Sequence, residues 1–131
     1  MLFKDEYSEL IYIAGEDLES AKILANHYKP QIEVSCYHCQ QCVEKVLKAF
    51  LSFHNVKFRY IHNLKELCRD CQNIDASFSI FQKECEVLTK YITETRYSRQ
   101  IQLTEHEMKQ AILSAEKILD FVKKKTILVK E

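Results

Sequence analysis

The chain has 131 residues, enough for one domain with a real core, and is 47% hydrophobic and 29% charged, a globular rather than disordered composition. One glycine and one proline disfavour β-hairpins and Gly-rich phosphate loops, both of which need positive φ. Nineteen basic residues balance nineteen acidic ones, so bulk charge gives no support to nucleic-acid binding. An all-α fold follows, expected to be an up-and-down bundle of about five antiparallel helices in a single domain over 1–131.

In chain order, MLFKDEYSEL carries acidic residues where an export signal needs basic ones, which predicts a cytoplasmic protein. No apolar run approaches membrane-span length, so no membrane partner is expected. Tyr7, Leu10, Ile11, Ala14, Leu18, Ala21, Ala25 and Tyr28 recur at helical spacing and predict a first helix, closed by Pro30. Gly15 interrupts it at a cost of about 1 kcal/mol relative to alanine.

The second predicted helix runs from about Ile32 to Asn55. A short third helix follows the turn at His62 and Asn63, with Leu64, Leu67, Cys68 and Cys71 inward. A fourth starts near Asp75 or Ser77, either of which can cap it, and turns Phe81, Cys85, Leu88, Tyr91 and Ile92 inward. The fifth opens at Thr104, where TEHE forms a capping box with Glu107. The tail, KKKTILVKE, departs from the period, and either fraying or docking on a partner is compatible with it.

The stretch SCYHCQQCVEKVLKAF places three cysteines and a histidine within seven residues. On a helix at about 100° per residue, Cys36, Cys39, Gln40, Val43, Leu47, Phe50 and Leu51 share one arc, extended by Cys42, Val46 and Ala49. An arc this wide marks a central helix touched by several neighbours. Cys36-x-x-Cys39 and Cys68-x-x-Cys71, with His38 nearby, spell a formal zinc pattern. Zinc sites of that kind are usually built on tight turns rather than helices, so the cysteines read as core and no metal or cofactor is expected.

The same stretch resembles the signature helix of the HEPN domain family. Gln40, Gln41, Glu44, Lys45, Leu47, Lys48, Ala49 and Leu51 match it in order and spacing, and the cysteines stand where that family has small residues. His62-Asn63-Leu64 resembles the family's His-Asp-Leu segment. Arg96-Tyr97 resembles its Arg-Tyr-Pro segment, with Ser98 in place of proline.

The resemblance implies a five-helix bundle, often a homodimer, associated with nucleotides or RNA and paired with a minimal nucleotidyltransferase, in some cases as toxin and antitoxin. On it, the chain is expected to be a binding subunit, with Arg96 and Tyr97 at a nucleotide or phosphate site. Gln41, Glu44, Lys45 and Lys48 would then form a partner or dimer surface. Pairing of Arg96 with Glu94 or Glu44 is the plainer alternative for that arginine.

Other branches of the family are metal-independent ribonucleases that join an arginine and a nearby histidine across a dimer. Arg99 and His106 satisfy that spacing, although Ile101 and Leu103 between them look like packing residues. A fixed cation would hold the phosphate while an imidazole moves a proton. His62 is expected to cap the third helix or fill its turn. Lys57, Arg59, Lys65 and Arg69, interspersed with Glu66 and Asp70, read as a solvated surface.

Overall fold

The computed structural model describes the backbone of residues 5–97 and 102–130 and the side chains of residues 5–91 and 102–127. Five α-helices follow in order: α1 (Glu6–Ala25), α2 (Ile32–Phe53), α3 (Leu64–Gln72), α4 (Gln82–Tyr97) and α5 (Glu105–Lys130). A 3-10 helix, Ala76–Phe81, leads into α4. No strand occurs among the described residues. The all-α bundle expected from glycine scarcity and helical periodicity is what the chain forms.

Local chemistry sets the helix starts. Asp5 caps α1 by accepting from the Ser8 N–H at 2.8 Å, and Asn63 caps α3 by accepting from Glu66 N–H at 3.2 Å. The expected capping box at α5 is present in both directions. Thr104 N–H donates to Glu107 Oε1 at 3.0 Å, and Glu107 N–H donates to Thr104 Oγ1 at 3.1 Å. At the end of α2, Asn55 adopts φ 60°, letting Val56 N–H reach back to the Leu51 carbonyl at 2.9 Å.

Three expectations about boundaries need correction. α1 stops at Ala25 with Asn26 as its C-cap, well short of Pro30, and Tyr28 lies outside it, 91% exposed. Asp75 caps the 3-10 turn rather than α4, accepting from Ser77 N–H. His62 does not cap α3, since Asn63 does. The tail departs from the apolar period without ending the helix, because α5 continues to Lys130. Thr126 is buried there, bonded to Tyr7 of α1 and to the Val122 carbonyl at 3.0 Å.

α2 is the central element and packs against α1, α3, α4 and α5. Ser35 Oγ donates to the Ala21 carbonyl at 2.8 Å, and Ser52 Oγ to Glu6 at 2.8 Å, fixing α1 and α2 as an antiparallel pair. Lys22 bonds Glu116 at 2.7 Å, while Tyr7 meets Thr126, so α5 is antiparallel to α1 and parallel to α2. Phe50, Phe78, Phe81 and Phe121 make edge-on or tilted contacts beneath the 3-10 turn. The start of α5, the end of α4 and the start of α2 therefore gather at one end of the bundle.

Candidate functional site

All six cysteines are unpaired and buried in the core. Burial pushes the Cys36 and Cys42 thiols up to about 12, and likewise raises Cys39 and Cys71, because a thiolate is poorly solvated there. Cys68 differs. Hydrogen bonds from the neighbouring Cys85 thiol and, at 3.5 Å, from the Gln72 amide lower it against the effect of burial, while Cys85 itself is raised by Cys68. Among the described residues no cluster of three or more His, Cys, Asp or Glu could hold a metal ion. The thiols of α2 thus lie where the helical arc puts them.

The polar groups of α2 are less simply placed. Glu44 and Lys48, expected on an open partner surface, are buried, with side chains 7% and 10% exposed. The reason is the segment 54–63, which folds back across this side of α2. Phe58 of that segment lies under the Lys48 ammonium, 5.4 Å from ring centre to Nζ. Arg59 pins the same segment to α3, its Nε and Nη2 reaching Asp70 at 3.1 and 3.2 Å and its Nη1 reaching Glu66 at 3.2 Å. The basic residues around Arg59 lie on a solvated surface, as expected, and within it Arg59 makes this outer clasp.

Under the segment, Glu44 is fully engaged. Lys48 Nζ sits 3.0 Å from Oε2, His62 Nδ1 2.9 Å from Oε1, and Gln40 Nε2 donates to Oε1 at 3.3 Å. Gln40 also donates to the His62 carbonyl at 3.2 Å. The chain of contacts runs on through Gln41 to Lys45 and then to Asp17 of α1, which Lys45 Nζ meets at 2.9 Å and His38 Nδ1 at 3.0 Å. Gln41 and Lys45 are half-buried. The Gln-Gln and Glu-Lys pairs therefore tie α1, α2 and the 54–63 segment together inside the protomer.

This network includes Asp17, which sequence reasoning did not single out, and His38, which it weighed only beside the formal zinc pattern. A signal existed, because Asp17 falls on the apolar stripe of α1 between Ala14, Leu18 and Ala21, where an acidic side chain needs a partner. Gln40 on the apolar arc of α2 carried the same signal.

The backbone of Arg96 and Tyr97 and the side chain of His106 lie at the end of the bundle where α4 finishes and α5 begins. Arg96 and Tyr97 form the last turn of α4, their side chains lying outside the described residues, as does Arg99. Glu44, one carboxylate considered for Arg96, is already occupied by Lys48, His62 and Gln40. His106 is exposed on the first turn of α5. It stands at a groove of about 460 Å³ between α4 and α5, floored by Leu88 and Tyr91 and edged by Lys83, Glu107 and Gln110. Burial raises the Tyr91 phenol to about 12, so it remains a protonated donor.

These features define a small all-α protein whose central helix carries a buried Gln-Glu-Lys network and whose α4–α5 junction bears arginine and histidine. The chain belongs to the HEPN domain family, whose model matches residues 7–125. The solved structure of ST0689, described as an archaeal HEPN homologue, has a TM-score of 0.74 and 27% identity, covering 92% of this chain and 97% of that one. TT1696 from Thermus thermophilus shares the fold with a TM-score of 0.79 at 24% identity, covering 91% of this chain and 97% of that one. A Methanocaldococcus jannaschii protein named "Putative toxin MJ1304" is 47% identical over 60 residues, 44% of this chain and only 37% of that relative. No helix, among the described residues, is long and apolar enough to cross a membrane.

Proposed function

We propose that this chain is the HEPN member of a toxin–antitoxin-type pair: a homodimeric binding subunit that associates with RNA or a nucleotide and partners a minimal nucleotidyltransferase. The observation that carries this reading is the 47% identity over 60 residues to a relative named as a toxin, within a shared family. The bound phosphate group is assigned to Arg96 and Tyr97 at the end of α4. Co-expression with the product of the adjacent open reading frame, expected to be a small nucleotidyltransferase, tests the pairing. A stable complex that relieves growth arrest caused by this chain alone is the expected result; no complex and no arrest would overturn it.

A second reading is favoured by His106, which the fold leaves exposed at the α4–α5 groove, seven positions after Arg99. There the chain is a metal-independent ribonuclease, Arg99 holding a phosphate and His106 moving the proton, with a dimer completing the site. Cleavage of single-stranded RNA in EDTA that disappears in Arg99→Ala and in His106→Ala would make this the working mechanism. Intact RNA under those conditions leaves the binding subunit as the function.

A further inference from the structure

The segment 54–63 is clamped at two points and still turns Tyr60 and the His62 ring, among others, outward. Arg59 holds it to α3 through Asp70 and Glu66, and His62 holds it to α2 through Glu44. Between those clamps Tyr60 is 85% exposed, its ring standing edge-on to Phe58 at 5.8 Å between centroids. The His62 side chain is 65% exposed although Nδ1 sits on a carboxylate that is only 7% exposed.

A ring anchored through Nδ1 presents Nε2 to the outside. The Glu44 carboxylate can only accept, so Nδ1 is the donor there, and the neutral ring with that tautomer carries its acceptor outward on Nε2. What complements an outward acceptor beside an outward aromatic face is a base to stack and a hydroxyl to donate. A ribonucleotide provides both, since the 2′-hydroxyl is the donor that DNA lacks.

The position agrees with that use. Leu64 N–H donates to Thr89 Oγ1 of α4 at 3.0 Å, so the turn bearing His62 abuts α4. From Thr89 to Arg96 is seven residues of helix, about 10 Å at 1.5 Å per residue. A strand lying on segment 54–63 would thus continue along α4 toward its last turn.

We propose that segment 54–63 is a preformed contact for single-stranded RNA, Tyr60 stacking one base and His62 Nε2 accepting from a ribose 2′-hydroxyl, with Glu44 as the residue that positions His62. This rests on the nucleic-acid association proposed above. It adds a contact face separate from His106 and from the last turn of α4. Its charges are internally compensated, so recognition there comes from stacking and the hydroxyl rather than from bulk charge.

Fluorescence anisotropy with a short labelled single-stranded RNA and its DNA counterpart tests it on the full chain. Tyr60→Ala is expected to weaken RNA binding by roughly tenfold, the scale of one lost base stack, with no change in Tm. His62→Ala is expected to abolish the preference for RNA over DNA; His62→Gln, which keeps an acceptor, restores part of it and covers the case in which the alanine variant unfolds. RNA binding that falls in Arg96→Ala but is unchanged in Tyr60→Ala and both His62 variants would overturn this contact while sustaining the function proposed above. Wild-type protein that binds neither strand would overturn both.

Discussion

Glu44 Oε2 lies 3.0 Å from Lys48 Nζ one turn along α2, with both side chains enclosed by the protomer. Burying such a pair costs desolvation that the mutual attraction only partly offsets, so the pair adds little net stability and yet cannot be broken cheaply. Glu44→Ala strands the Lys48 ammonium beside Phe58 and leaves Gln40 and His62 without their shared acceptor. We expect a loss of about 3–5 kcal/mol in chemical denaturation. Replacing both, as Glu44→Leu with Lys48→Met, should cost less than Glu44→Ala alone, because no unpaired charge remains. A double variant that loses the sum of the two singles would show that the groups do not act as a unit.

The buried thiols make a separate prediction about reactivity. Cys36, Cys39, Cys42 and Cys71 are raised by burial, and Cys68, lowered by Cys85 and the Gln72 amide, is as fully enclosed as they are. Limited alkylation of the native protein near pH 8, read by peptide mass spectrometry, should therefore be slow at all of these thiols and become rapid only on denaturation. Cys39→Ala should be better tolerated than Cys39→Ser, since the serine hydroxyl is more costly to bury without a partner. Rapid labelling of the native protein, or one equivalent of zinc in protein purified without chelator, would contradict the packing role.

Much of this architecture can be read from residue order because it is local. The helical arc of α2, the inward face of α3 and the Thr104–Glu107 box each depend on residues within one or two turns. The end of α1 is harder to read, because Ala25 and Tyr28 keep the helical period while the chain has already left the helix at Asn26. The burial of Glu44 and Lys48 is not legible at all from α2. A projection of one helix separates polar from apolar faces but does not show that residues 54–63 fold back over the polar one, held by an Arg59–Asp70 contact eleven residues apart in sequence. For the same reason sequence places His62 in the turn it borders rather than on the carboxylate it meets eighteen residues away.

Asp75 gives the clearest dependence on pH. Hydrogen bonds from Ser77, then the bond from Lys125, hold its carboxyl down at about 2, below the ordinary 3.8. A carboxyl depressed on folding stabilises the fold fully above its unfolded value, and that contribution fades as pH falls from 3.8 through about 2. Asp75→Asn should accordingly lower Tm at pH 7, and the difference from wild type should shrink progressively below pH 4. The site is partly solvated, so the effect at neutral pH should also weaken with added salt. A Tm difference that stays constant down to pH 2 would mean that charge is not what Asp75 contributes.

Gly15 tests whether the interruption in α1 serves the packing. It lies in the helix interior between buried Ala14 and Leu18, and a Cβ built there meets no atom within 4 Å. Its φ is not in the left-handed region. Nothing in the protomer therefore opposes alanine, which lowers the entropy of the unfolded chain and favours the helix. Gly15→Ala should stabilise the protein by about 0.5–1 kcal/mol, visible as a higher denaturant midpoint with an unchanged slope. Destabilisation, or an altered oligomeric state in size-exclusion chromatography, would instead show that a second chain approaches the α1 backbone at this position, where only a residue without a side chain leaves room.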